Sequence, residues 1–334
     1  MEYPSLDKPI AGAFRFNTDS SQLEIYDGNQ WKGIKATSPE EQTGGTRGLF
    51  MGGYQAPAKR DFIEYVNIST TGNTSSDFGD LIAANMIPSA VASRTRAISA
   101  GGNTGSAVDT IQAVTISSTG NAVDYGNLTV ARRYAAPMNS STRGVFAGGD
   151  TPSAVDTIDY TTISTAQDAV DFGNLAAAVS SIAGCSSPTR GLTAGGDPGV
   201  NTIQYVTIAT TGNASDFGDL TGGSRRGNSG CSNAVRGIWG GGLPAFNTVE
   251  YSTIASLGNA TDFGDTTNSM WLYGSTSSPT RAIFAGGYNP SSNATYANID
   301  YFQIASTGNA LDFGDLTAVR RDMAGASNGN GGLG

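Results

Sequence analysis

Six arginines recur at nearly constant spacing: Arg47, Arg96, Arg143, Arg190, Arg236 and Arg281, separated by 49, 47, 47, 46 and 45 residues. Guanidinium groups in register can clamp a carboxylate or phosphate, or pair with carboxylates of their own chain. Each is followed by Asp-aromatic-Gly-Asp/Asn, starting at Asp77, Asp124, Asp171, Asp216, Asp262 and Asp312. Every copy carries both groups, and a buried Arg needs a counter-charge, so salt bridges between repeat units are the expected partners. Asp-Phe-Gly is also the magnesium motif of kinases, but no nucleotide loop or catalytic loop accompanies it here. Thr-Gly-Asn turns such as Gly72-Asn73 and Gly212-Asn213 offer oxygens, yet too few carboxylates for a calcium cage.

The chain contains no histidine, so the commonest general base and metal ligand is absent and Ser-His-Asp chemistry is impossible. Its two cysteines, Cys185 and Cys231, cannot build a four-thiolate zinc site. They occupy equivalent repeat positions, which suits small buried residues better than a redox pair. A hydrolase working through two carboxylates is chemically open, but no pair stands out from the repeat background. The expectation is a protein without catalytic residues, metal site or cofactor.

The elements that must position these residues form a repeat of about 47 residues. Glycine pairs close the segment after each Arg, at 52–53, 101–102, 148–149, 195–196, 241–242 and 286–287. An alternating run follows: IEYVNI, IQAVTI, IDYTTI, IQYVTI, VEYSTI and IDYFQI. Alternation with β-branched and aromatic residues predicts a half-buried strand, and the Thr-Gly-Asn turn predicts a hairpin into the next. In the third copy the four predicted strands are Tyr134–Ser140, Gly144–Ala147, Thr157–Ser164 and Ala169–Leu175. Four strands per unit in six copies predict an all-β, six-bladed β-propeller of four-stranded blades. The first copy lacks its first strand, and a matching segment follows the last copy at Asp322–Asn328. Blade one is therefore expected to combine residues 46–82 with 321–328, so that no edge strand stays unpaired.

The 334 residues carry 19 basic and 28 acidic side chains, for a net charge of −9. That balance argues against nucleic acid, whose phosphates require a basic surface, and against anionic membranes. No apolar run is long enough for membrane insertion, and residues 1–30 have no signal-peptide pattern. Residues 1–45 lie outside the repeat and 46–334 contain it. Within the first segment, Phe14 and Phe16 mark one strand, Leu23, Ile25 and Tyr26 a second, and Trp31 ends a β-meander. A meander this small is marginal alone and is expected to serve as an attachment arm, with Lys35–Gln42 as a polar linker. Exposed aromatic residues such as Trp239, Trp271 and Tyr273 would suit a sugar-binding platform, although packing is the commoner use of such residues.

The order of Arg, Gly-Gly, third-strand Tyr and fourth-strand aromatic resembles the kelch-type β-propeller over residues 46–328, with Phe or Tyr where kelch blades carry Trp. The stretch GAFRFNTDSSQLEIYDGNQW is similar to a small β-module of tailed-bacteriophage tail and fibre proteins. The TGNA-x-DFGDL repeats resemble structural proteins of cyanobacterial phages. These resemblances imply a non-enzymatic virion component assembled in the host cytoplasm. Its arm would dock to other virion proteins and to further copies of itself, displaying the propeller for protein or host-surface contact. The competing expectation is a lectin-like propeller that recognises a cell-surface glycan.

Overall fold

The computed structural model describes residues 9–17, 22–33, 46–72, 74–244 and 246–333. The chain divides into two units, Met1–Gly44 and Gly45–Gly334. Asn73 and the Lys35–Gln42 linker lie outside the described residues.

In the first unit, strands Phe14–Asn17, Gln22–Tyr26 and Trp31–Gly33 form an antiparallel sheet. Asp27 opens the second turn, its carboxylate accepting the backbone N–H groups of Asn29 and Gln30 at 2.9 and 2.8 Å. Those bonds and the Lys32 ammonium hold its carboxyl well below the usual range. The register pairs Phe14 with Ile25 and Phe16 with Leu23, and Phe14 and Phe16 share one face. The other face is closed on itself: Arg15 pairs with Glu24 at 2.7 Å and stacks 4.3 Å above Trp31, which touches Tyr26.

The second unit contains six four-stranded antiparallel sheets among the described residues. Sheet two runs Ser89–Ala92, Arg96–Ala100, Thr110–Thr115 and Val123–Asn127. Sheets three to six repeat that order in sequence, beginning at Ala136–Asn139, Ala183–Ser186, Ser229–Ser232 and Gly274–Ser277. Sheet one is discontinuous. Ala324–Ser327 pairs with Arg47–Met51, matching Ala326 to Leu49, and Phe62–Asn67 and Ser76–Asp80 complete it.

The first strands are shorter than the sequence pattern predicts. In the third copy the strand is Ala136–Asn139, not Tyr134–Ser140. The cause is a left-handed residue just before each: Ile87, Tyr134, Ser181, Leu272 and Asp322 have φ between 53° and 62°, and Gly227 has φ 64°. A strand cannot run through such a residue.

The apolar core lies between consecutive sheets. Leu49 and Phe78 of sheet one cluster with Val114 and Ile116 of sheet two, and equivalent clusters follow pair by pair. A sixth cluster joins Ile283 and Phe313 of sheet six to Phe50 and Ile68 of sheet one.

The Asp-Phe-Gly glycine forms a second seam. It sits at a β-bulge, and at Gly218 (φ 146°) an added Cβ would stand 2.5 Å from the backbone of Gly258, in the next sheet's turn. That turn docks through Gly258 N to Phe217 O at 2.9 Å, while Asn259 Oδ1 accepts Asp219 N at 3.0 Å. The third copy has Ala166-Gln167-Asp168 instead of Thr-Gly-Asn, and Asp168 Oδ1 accepts Asn127 N in the same way. The Gly-Asn pair of the turn, preceded by Leu257 at Gly258 and by Thr in the other Gly-Asn copies, is thus the docking tooth of one sheet on the last. Gly218→Ala is expected to cost ~2–4 kcal/mol, through backbone overlap and unfavourable φ. Gly105, exposed with open space around it, serves as the neutral comparison in the same chemical denaturation series.

Candidate functional site

The six repeat arginines do not pair with the six repeat aspartates. Asp77, Asp124, Asp171, Asp216, Asp262 and Asp312 are all exposed on the outer strands, and no ion pair among the described residues includes them. The arginines, half-buried, instead lie over a tyrosine of their own sheet: Arg47 on Tyr65, Arg143 on Tyr160, Arg190 on Tyr205, Arg236 on Tyr251 and Arg281 on Tyr301, at 4.5–5.0 Å. Each then donates to a backbone carbonyl of the following sheet. Arg47 reaches Ile116 O, Arg96 Ile163 O, Arg143 Ile208 O, Arg190 Ile254 O, Arg236 Ile304 O and Arg281 Ile68 O, at 2.8–3.0 Å. A carbonyl and an aromatic face together satisfy a guanidinium without a counter-ion.

Arg96 shows the rule by its exception. Its third-strand neighbour is Ala113, and the ring beneath it at 4.9 Å is Tyr125, from the one Asp-Tyr-Gly copy. The Tyr125 hydroxyl also donates to Ile163 O at 2.9 Å. The loss of one tyrosine is thus offset by a hydroxyl added to the neighbouring phenylalanine position.

The buried ion pairs use arginines that sequence reasoning passed over. Arg132 binds Asp159 at 2.9 Å, Arg320 binds Glu64 at 2.6 Å, and Arg225 binds Glu250. Burial pulls each guanidinium down from its ordinary value, opposed by the carboxylate beside it. The pairs fall in sheets three, five and one. In the alternate sheets the Arg position holds Asn85, Val179 or Met270, and the acid position holds Gln112, Gln204 or Asp300. All the acid-position side chains accept from the loop entering their sheet: Gln204 from Ala176 N at 2.8 Å, Glu250 from Thr221 N at 2.7 Å, Asp300 from Thr267 N at 2.9 Å. Asp300 has no arginine, and burial raises its carboxyl despite the bonds from Thr267. The Arg-Arg doublets that begin at 132, 225 and 320, with an acid in the second place of four of the six third-strand runs, were the available signal.

A cavity of about 110 Å³ is lined by the first strand, or the residues just before it, of all six sheets. The left-handed residues form its rim through a chain of backbone bonds. Tyr134 N donates to Ile87 O, Ile87 N to Asp322 O, Asp322 N to Leu272 O, Leu272 N to Gly227 O and Gly227 N to Ser181 O, at 2.8–3.5 Å. At the far ends of the same strands, Ser232 Oγ donates to Ser186 O and Ser277 Oγ to Ser232 O, both at 2.7 Å. Ser327 Oγ donates to Ser277 O, and Asn330 Nδ2 to both Ser327 O and Ala92 O. Asn330 therefore bridges the place where Ala92 lacks a hydroxyl.

Cys185 and Cys231 are both free and buried, and burial raises both thiols, Cys231 to about 12. Such thiols are poor nucleophiles. Trp239 is fully buried and donates to Ser252 Oγ at 3.1 Å, and Tyr273 is buried as well, so neither belongs to an exposed sugar platform. Asn213, Asn259 and Asn309 each accept a backbone N–H from the preceding sheet rather than facing open space together.

Sheet four, with Val179 and Gln204, is an internal example of the same position without ions. Arg225→Ala is expected to lose ~3–5 kcal/mol, because Glu250 is left buried and unpaired. The double change Arg225→Val with Glu250→Gln, copying sheet four, should cost clearly less than the single change in urea denaturation. No protein-family model matches this chain, and no curated protein is significantly similar to it.

Proposed function

We propose that the six sheets are the blades of a closed, kelch-like β-propeller, and that the protein is a non-enzymatic structural component of a tailed-phage virion. Blade order is supported by the six inter-sheet clusters, the last joining sheet six to sheet one. Closure is supported by the pairing of Ala324–Ser327 with Arg47–Met51, which draws the final strand into the first blade. A disc built of short, mutually docked blades is a stiff platform for presenting loops to a partner.

The observation that carries the attachment role is the exposed apolar face that the described residues of the N-terminal sheet present. Phe14 and Phe16 are 62% and 63% exposed, and Ile10, just before the strand, is 81% exposed. Adjacent exposed phenylalanines on one strand face are a marker of an interaction surface. The opposite face, with Arg15, Glu24, Tyr26 and Trp31, is already satisfied internally. Phe14, Phe16 and Ile25 are thus the residues assigned to docking, with Leu23 opposite Phe16 in the register. The partners in this reading are other virion proteins and further copies of this chain, and the resemblance to phage tail modules supplies their class. Several copies docked on one particle would gain avidity without tighter individual contacts. The glycan-binding alternative keeps Trp271 but loses Trp239 and Tyr273 to the core.

The protein is expected in purified particles by mass spectrometry. Phe14→Ser with Phe16→Ser should reduce its incorporation at least several-fold while leaving the melting temperature of the second unit unchanged. Absence of the wild-type protein from particles contradicts the virion reading. Undiminished incorporation of the double variant contradicts the role given to the arm.

A further inference from the structure

The cavity rimmed by the six left-handed residues contains one charged side chain. Asp322 is 8% exposed and lines the cavity, and its Oδ1 has no hydrogen-bond partner. Its Oδ2 lies 3.5 Å from Arg321 Nε, but the Arg321 guanidinium is held between the rings of Tyr54 and Tyr288, at 5.1 and 4.2 Å. The equivalent rim positions hold Ile87, Tyr134, Ser181, Gly227 and Leu272, none of them charged. A carboxylate in this place is not needed to form the rim, since the backbone makes those bonds. A buried acceptor without a donor destabilises the fold, and this one borders a cavity with room for a group that brings one.

We propose that this cavity binds a short alkylammonium group, with Asp322 Oδ1 accepting from the ammonium and Ile87, Pro88, Ile182 and Leu272 packing on the alkyl chain. The wall chemistry selects that class. A divalent metal needs several oxygen ligands, and Asp322 is the sole acidic residue in the lining. A guanidinium would seek both carboxylate oxygens, one of which faces Arg321. An inorganic monovalent cation would gain nothing from the apolar wall. The volume admits several water molecules or one short chain, a water needing about 10–15 Å³ on the same measure. Tyr134 also lines the cavity, with the Arg133 guanidinium 5.6 Å from the centre of its ring.

The titratable groups facing Asp322 are few. Tyr134 and Tyr273 line the same cavity and are both raised by burial, so they stay neutral up to strongly basic pH. Arg321 adjoins Asp322, and the Arg133–Asp150 pair stands beyond Tyr134. Burial pushes the Asp322 carboxyl up to about 6, with Arg321 opposing. For an acid raised above its unfolded value, the folded state holds the proton more tightly. This group's contribution to stability therefore falls as pH rises from about 4 to above 6. Asp322→Asn should accordingly melt higher than wild type at pH 8, and the gap should close by pH 4.

The direct test is calorimetric titration of the full chain with n-butylammonium chloride, using 1-butanol as the neutral isostere. Wild type is expected to bind butylammonium saturably with one site at pH 8, about tenfold more weakly at pH 5 as Asp322 protonates, and butanol much more weakly. Asp322→Asn should bind butylammonium at least about tenfold more weakly at pH 8, with no change at pH 5. Equal affinity of the variant, equal affinity for butanol, or no saturable binding by wild type at millimolar ligand overturns the proposal. Should the variant fail to fold, the carbon NMR titration of Asp322 in wild type decides. Butylammonium should lower its midpoint, and an unmoved midpoint overturns the assignment.

Discussion

A sheet of four short strands cannot bury both of its faces by itself, and the seams between sheets in the second unit answer that constraint. Each sheet must pack on its neighbours, so stability rests on the contacts between consecutive sheets as much as on those within one. The contacts that meet this need are mostly to backbone. The repeat arginines reach carbonyls of the following sheet, and the Thr-Gly-Asn turns dock on carbonyls and amides of the preceding one. Backbone partners do not depend on which side chain the neighbour carries. This explains how side chains at many positions vary among the six copies while the seam is kept.

The same logic clarifies the buried ions. Arg132, Arg225 and Arg320 with their acids appear in alternate sheets, whereas Val179 with Gln204 fills the same place without charge. The shared element is the acceptor on the third strand that fixes the incoming loop. The arginine is an addition, and ion pairs of this kind contribute little net stability over an apolar substitute while being costly to break singly. Of the three, Arg320 with Glu64 joins the segment before the last strand to the third strand of sheet one, so that pair also ties the two ends of the second unit together.

Much of this architecture was legible in the residues. The strand-forming runs, the Gly-Gly pairs and the displaced first strand could all be read, because periodicity and glycine spacing report local backbone geometry. The all-β class and the pairing of Ala324–Ser327 with Arg47–Met51 came from that reading. Partners across a seam were not legible in the same way. Arg47 and Asp77 recur together, yet one seeks a carbonyl of the next sheet and the other faces water, since sequence shows co-occurrence and not direction. Nor was the rim legible: Ile87 and Leu272 are ordinary apolar residues, and nothing about their type announces a left-handed backbone. Asp322 was hidden for that reason, since the strand pattern Asp322–Asn328 includes it whereas the strand itself is Ala324–Ser327.

Hydrogen exchange read by mass spectrometry on the full chain tests the central claim, that both ends of the second unit belong to one sheet in a closed series. The account expects amides of residues 47–51 and 324–327 to exchange as slowly as those of the inner strands in sheets three to five, all opening together. Fast exchange in those two segments, with the middle sheets protected, would contradict it.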